Sequence, residues 1–192
     1  MLLASGVSAQ NASKAKAVLD KTSAIVSNKG GASANFKISG ERTGTTSGTI
    51  LIKSNKFQAS TPQATVWYNG KTMWTNMKNS DEVNVSNPTE SQQAQLNPYH
   101  FVNLYKKGYA LSMKNVTGGY QVHLKAQSAS QPIKELYITV NSKTYLPTAV
   151  KMLQGGKWTT ISISQFKAMT ISDSKFSFNS KDYPHAEVID LR

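Results

Sequence analysis

The sequence predicts a mostly-β protein of the α+β class. One large curved sheet or barrel of about ten or eleven antiparallel strands follows a single long helix, and a short helix is inserted into it. Three observations lead there. From Ala32 onward apolar residues alternate with polar ones, the period of a strand with one buried face. Turn-forming pairs (Ser54-Asn55, Asn69-Gly70, Gly118-Gly119, Gly155-Gly156) punctuate that alternation at hairpin intervals. Ahead of the alternation, Ser13 to Ser27 carries apolar side chains at spacings of three and four.

The elements follow in order. Ala15, Val18, Leu19, Thr22, Ile25 and Val26 share one face of the predicted helix, which Asn11 or Ser13 caps and Gly30-Gly31 ends. Ala32, Ala34, Phe36 and Ile38 begin the strand period, and Ile50 and Ile52 continue it after a turn over Gly40 to Gly44. Phe57 and Ala59 lead to Val66-Trp67-Tyr68 and Thr72-Met73-Trp74, which flank Asn69-Gly70, a pair suited to a type I′ turn. Glu82 to Val85 is a further short strand. The alternation then breaks. Asn97 caps and Pro98 opens a short helix with Phe101, Leu104 and Tyr105 on one face, bounded by Gly108. Strands resume over Tyr109 to Val116, Tyr120 to Ala126, Ile133 to Val140, Leu146 to Leu153 and Trp158 to Phe166. Phe176 and Phe178 precede a tail.

A chain of 192 residues, 39% hydrophobic, is one domain by size and long enough to bury a sizeable core. It has no cysteine, which excludes disulfides, thiolate metal sites, a cysteine nucleophile and a lipid-bearing N-terminal cysteine. The start, Met-Leu-Leu-Ala-Ser-Gly-Val-Ser-Ala-Gln, ends in the small residues of a signal-peptide cleavage site but lacks a basic beginning. Residues 1–10 are therefore expected to be a signal-peptide remnant, and residues 11–192 a single exported, soluble domain. Net charge is +12. From Ser91 to Ser172 the only acid is Glu135, against nine lysines. Such a surface favours acidic partners, among them a membrane surface. The lysines are spaced rather than blocked, which also suits plain solubility and does not describe a nucleic-acid tail.

Residue types that carry chemistry are sparse. His100, His123 and His185 have no metal-ligand spacing, and His123, between Val122 and Leu124, is expected to face solvent. There is no Gly-x-Ser-x-Gly elbow, no P-loop and no GxGxxG. Asp81-Glu82, the only adjacent acid pair, lies beside a turn and reads as surface. Tyr99, Phe101, Tyr105, Lys106, Lys107 and Tyr109 interleave rings with lysines. Packed rings with lysines in water account for that pattern better than a base-stacking platform. No catalytic residue, metal or cofactor is expected, and no nucleic-acid partner.

A sheet of this width with one apolar face needs more cover than one long and one short helix supply. A partly empty apolar cavity is the physical expectation; a filled core or a two-sheet sandwich is the alternative. Period-2 alternation names its lining: Phe36, Ile38, Ile50, Ile52, Phe57, Trp74, Val122, Leu124, Ile138, Val140, Ile161 and Ile163.

The order of elements, with Gly48-Thr49-Ile50, Lys53-Ser54-Asn55-Lys56-Phe57, Asn69-Gly70-Lys71-Thr72-Met73-Trp74 and Phe176-Ser177-Phe178, resembles the periplasmic outer-membrane lipoprotein carrier family, LolA, in its divergent members. The resemblance covers nearly the whole chain. It implies an unclosed β-barrel covered by an N-terminal helix and a short lid helix, with an apolar cavity for lipoprotein acyl chains or another apolar lipid. It further implies a periplasmic, monomeric chaperone that makes and breaks no bond, with an inner-membrane donor complex and an outer-membrane acceptor. Phe57 matches the family's cavity aromatic. Four residues earlier the family commonly has an arginine followed by proline, which latches the lid; Lys53 and Ser54 stand there. Lysine keeps the charge and loses the planar fork of donors. Leu96, Pro98, Phe101 and Leu104 are the expected lid, with Lys53 its latch. A non-transporting envelope sensor or lipid-binding module on the same scaffold is the alternative function, and an unrelated enzyme or lipocalin-like binder the third.

Overall fold

The structure, a computed structural model, describes residues 4–27, 29–41, 44–89, 92 and 104–192. Helix α1 (Ala4–Val26) precedes twelve strands: β1 (Ala32–Gly40), β2 (Gly44–Lys53), β3 (Lys56–Ser60), β4 (Ala64–Tyr68), β5 (Met73–Met77), β6 (Glu82–Ser86), β7 (Tyr109–Val116), β8 (Gly119–Ala126), β9 (Ile133–Asn141), β10 (Pro147–Gln154), β11 (Lys157–Ala168) and β12 (Glu187–Asp190). Two 3-10 turns, Asp173–Phe176 and Ser180–Asp182, lie between β11 and β12.

The strands form one sheet in the order β12-β6-β5-β4-β3-β2-β1-β11-β10-β9-β8-β7. Because β7 and β12 stand at its two ends and do not pair with each other, the sheet is unclosed. It is antiparallel throughout except that β12 runs parallel to β6. Twelve strands exceed the ten or eleven expected, and β12 lies in what the sequence shows only as a tail. The helix also runs earlier than its predicted start near Ser13, so Asn11 lies within it rather than at its cap. Ala15, Val18, Leu19, Thr22 and Val26 of the predicted face are buried and Ile25 is half-buried; Ser23, outside that face, is buried as well. The predicted second helix falls almost wholly outside the described residues.

Hairpin chemistry fixes the registers. Gln154 pairs with Lys157 across Gly155 and Gly156, and both glycines have positive φ (57° and 74°), as a type I′ turn requires. The aromatic hairpin differs from its expected two-residue turn. Tyr68 pairs with Met73, so residues 69–72 form the loop. The Asn69 Oδ1 accepts from the amides of Lys71 and Thr72 at 3.0 and 2.9 Å. That side chain organises the wider loop in place of a tight backbone turn.

Residues cluster into two compact units. The first comprises residues 1–26, 37–45 and 98–163, and so holds α1 and β7 to β10. The second comprises residues 27–36, 46–97 and 164–192, and holds β3 to β6, both 3-10 turns and β12. Residues of β1, β2 and β11 are divided between them.

Candidate functional site

In the first unit, alternation and register together build an aliphatic surface. Met113, Val122, Ile138, Val150 and Ile161 stand opposite one another across five strands. Leu111, Leu124, Leu136, Met152 and Thr159 make the next row. Val122, Leu124, Leu136, Ile138, Val140 and Val150 are all wholly buried, and Ile161 and Ile163 nearly so. Each such side chain is worth roughly 1.5–3 kcal/mol on leaving water. Six expected lining residues (Val122, Leu124, Ile138, Val140, Ile161, Ile163) thus share one face, while Ile38 in the same unit is half-buried.

Helix α1 belongs to this unit and is tied down by polar contacts. Asn11 makes two bonds to Met113 on edge strand β7: its Nδ2 donates to the carbonyl at 3.0 Å, and its Oδ1 accepts from the amide at 2.7 Å. Asp20 accepts from the Tyr105 hydroxyl. Burial, and then that bond, push the Tyr105 hydroxyl well above its ordinary value. Lys16, followed by Tyr105, holds the Asp20 carboxyl below its own. These are structural pairs, with a single acid between them.

The other face of β8 to β11 carries His123, Glu135, Tyr137, Lys151 and Trp158. His123 stacks on Tyr137 with ring centroids 4.4 Å apart, and its Nε2 lies 3.0 Å from Glu135. It sits on the outward face, as alternation requires, but half-buried in a stack. His185 is exposed, and His100 lies outside the described residues. Among the described residues no group of three acids, histidines or cysteines is placed to hold a metal ion.

In the second unit, Ile50, Ile52 and Phe57 lie on one face with Tyr68. All four are buried, and the Phe57 and Tyr68 rings are 5.5 Å apart. Phe36 is buried beside Gly48, where an added Cβ would lie 3.0 Å from the Phe36 Cζ and 2.1 Å from the Ser60 carbonyl oxygen. Trp74 needs a correction. It stands opposite Trp67, and Trp67 opposite Gln58, the neighbour of Phe57 in β3. Trp74 is therefore on the face away from Ile50, Ile52 and Phe57, and no single lining of that face includes it. Alternation misplaced it because both faces of these strands are covered, so Val66-Trp67-Tyr68 is apolar without a break.

The covering segment is the stretch after β11. Amides of Met169 and Ile171 donate to the carbonyls of Gly31 and Gly30 at 3.0 and 2.9 Å. A side chain at Gly31 would meet Ile52 O at 2.8 Å and Ile171 Cδ1 at 3.0 Å, and its φ is 109°. Lys53 and Lys56 fasten the next turn. The Lys53 Nζ donates to the Ile171 carbonyl at 2.9 Å and pairs with Asp173 Oδ1 at 2.9 Å. Lys56 pairs with Asp173 Oδ2 at 2.7 Å. Lys56, then Lys53, lower the Asp173 carboxyl to about 2. Phe176 is wholly buried, and Trp67 meets Phe178 and Tyr183 edge-on at 5.7 and 5.6 Å. Sequence reasoning singled out Lys53 and Phe176-Ser177-Phe178. It missed Ile171, Asp173 and Tyr183, for which the only signal was the aromatic pair recurring after a polar stretch. Of the expected lid, Leu104 is half-buried, while Leu96, Pro98 and Phe101 lie outside the described residues.

An open single sheet joined by hairpins, preceded by one long amphipathic helix, defines the class of protein. The chain belongs to the family of the outer membrane lipoprotein carrier protein LolA, whose model matches residues 5–156. No curated protein matches it in sequence. Among solved structures it is similar to an uncharacterized conserved protein from Thermus thermophilus, with 12% identity, a TM-score of 0.62 and coverage of 92% of this chain and 99% of that one. A putative outer membrane lipoprotein-sorting protein domain from Vibrio parahaemolyticus is similar at 10% identity and a TM-score of 0.51, over 87% of this chain and 97% of its own. A DUF1329 family protein from Desulfovibrio piger has the same identity, TM-score and coverage. At these identities the likeness is one of fold.

Proposed function

We propose that this protein is a non-enzymatic carrier of the cell envelope that shelters the acyl chains of lipoproteins and moves them toward the outer membrane. The observation that carries the proposal is the buried, mostly aliphatic face of β8 to β11 in a chain of this family. An acyl chain of about 15 methylenes is worth on the order of 12 kcal/mol when it leaves water, so it crosses an aqueous space only under cover. Val122, Leu124, Ile138, Val140, Ile161 and Ile163 offer that cover. Ligand entry needs the buried face to give way, and the segment that covers it must trade its own apolar contacts for those of the ligand. The segment 96–104 is the proposed lid, on the sequence grounds given above. No helix among the described residues is long and apolar enough to cross a membrane.

The test is calorimetric titration with a triacylated lipopeptide and its deacylated counterpart, followed by transfer to acceptor vesicles. The acylated form alone is expected to bind, and to be handed over. Folded protein that binds neither form would overturn the proposal. Binding without transfer would assign a lipid-binding module in place of a carrier.

A further inference from the structure

The second unit contains a cleft that the carrier function does not use. It has a volume of about 700 Å³ and lies where the segment after β11 crosses β3 and β4. Gln58, Trp67, Phe178, Asn179, Asp182 and Tyr183 line it. Gln58 and Trp67 stand directly opposite each other on the face away from Phe57, so the sheet itself separates the cleft from Ile50, Ile52, Phe57 and Tyr68.

Three of these side chains are underused. Trp67 is only 5% exposed, yet among the described residues its indole N–H meets no acceptor. Gln58 and Tyr183 are half-buried, and among the described residues neither the Gln58 amide nor the Tyr183 hydroxyl has a hydrogen-bond partner. Folded proteins rarely leave a buried donor such as the Trp67 indole unmet, and the half-buried Gln58 and Tyr183 beside it present further polar groups to whatever enters the cleft. The remaining groups narrow its chemistry. Lys175 and Asp182 balance in charge, which disfavours a strong anion or cation. The hydrogen-bonding groups exclude a plain acyl chain. Rings of Trp67, Phe178 and Tyr183, mutually inclined within 6 Å, give an apolar wall beside the amide and hydroxyl groups.

A ligand with one apolar face and a rim of hydroxyls and amides matches that lining: a saccharide ring. An N-acetyl group adds a carbonyl acceptor for the indole N–H and a methyl for the rings. We propose that this cleft binds an uncharged N-acetylated saccharide of one to three rings, at a site distinct from the acyl-chain site. Pockets of this size commonly hold ligands of that bulk.

The experiment follows the indole N–H resonances of the 15N-labelled full chain during titration with an N-acetylglucosamine trimer, and in parallel with a glucose trimer. The Trp67 signal is identified by its loss in Trp67→Phe, or by its broadening in Tyr183→Phe if that variant does not fold. Expected is a saturable shift of the Trp67 signal by the acetylated trimer with a dissociation constant below ~1 mM. Gln58→Ala and Tyr183→Phe should each weaken it at least about fivefold with the melting temperature unchanged. No movement of Trp67 at ~10 mM acetylated trimer overturns the site. Equal binding of the two trimers overturns the assignment to N-acetylated sugars. Lipopeptide binding is expected to be the same with and without the saccharide, so the two proposals fail separately.

Discussion

Lys53 carries one charge and serves two partners, the Ile171 carbonyl and the Asp173 carboxylate. The two contacts differ in worth. Asp173 keeps Lys56 when Lys53 is lost, and its side chain is 60% exposed, where water competes for the pair. Among the described residues the carbonyl keeps no other donor. Lys53→Met is therefore expected to cost about 1.5–3 kcal/mol, the usual worth of a hydrogen bond to a charged group, and Asp173→Asn less; urea denaturation of both variants decides the order. The pH dependence of Asp173 has a definite sign. A carboxylate whose folded value is depressed adds stability that is complete above its ordinary value, about 3.9, and is lost as pH falls through the folded one, here about 2. Wild type should exceed Asp173→Asn by a constant margin from neutral pH to about pH 5 and lose that margin by about pH 2. Lys53 stood out in the sequence as a cation where the family has arginine. Its observed partners, more than a hundred positions away, did not, because an ion pair leaves no periodic trace.

Among the elements, α1 and β7 show how a helix can finish a sheet edge. An edge strand presents amide and carbonyl groups that need partners. Asn11 supplies one of each from a single side chain, imitating the peptide group of a neighbouring strand at Met113. Asn11→Ala removes both bonds at once and should cost about 1–3 kcal/mol. Asn11→Asp should fare no better, because a carboxylate oxygen would then face the Met113 carbonyl. Hydrogen exchange at the Met113 amide, faster in both variants than in the parent, is the check; unchanged protection would mean that the helix contributes nothing to that edge. The helix face was legible from Ala15, Val18, Leu19, Thr22 and Val26 because burial repeats with the helical turn. Its beginning was not. Ala4 to Gln10 is built of small and polar residues, which suit a cleavage site and a helix alike. Asn11 fits a cap by composition, and only the position of β7 shows it otherwise employed.

For the whole molecule, the strand order consists of two runs in chain order, β1 to β6 and β7 to β11, with β1 beside β11. The runs were legible because hairpins join neighbours and each turn carries its own chemistry, as at Gly155-Gly156. The junction of β1 with β11 was not, since it brings residues 32–40 beside residues 157–168 and no local signal marks a pairing of that span. The same holds for β12. Strand β12 pairs with β6, completed far earlier in the chain, and the segment from 169 to 186 brings it there while covering Trp67 and burying Phe176. Ten of the twelve expected lining residues are buried. Trp74 shows the limit of alternation: where a returning segment covers the second face, polarity no longer tells the faces apart.

The parallel pairing of β12 with β6 bears on the protein's biosynthesis. Strand β6 is complete at Ser86, yet the backbone groups on its outer side wait for Glu187 to Asp190. Until those residues leave the ribosome, the nascent sheet ends in an open template beside Val83 and Val85, side chains that are buried in the finished protein. Strand templates of that kind recruit other chains. The hazard ends when those residues reach β6, or is held off while a holding factor keeps the chain extended. Chains cut short before Glu187 are expected to refold into oligomers under conditions where the full chain refolds as a monomer, a difference that light scattering during dilution from denaturant would register. Equal scattering from the two chains would show that β6 tolerates an open edge.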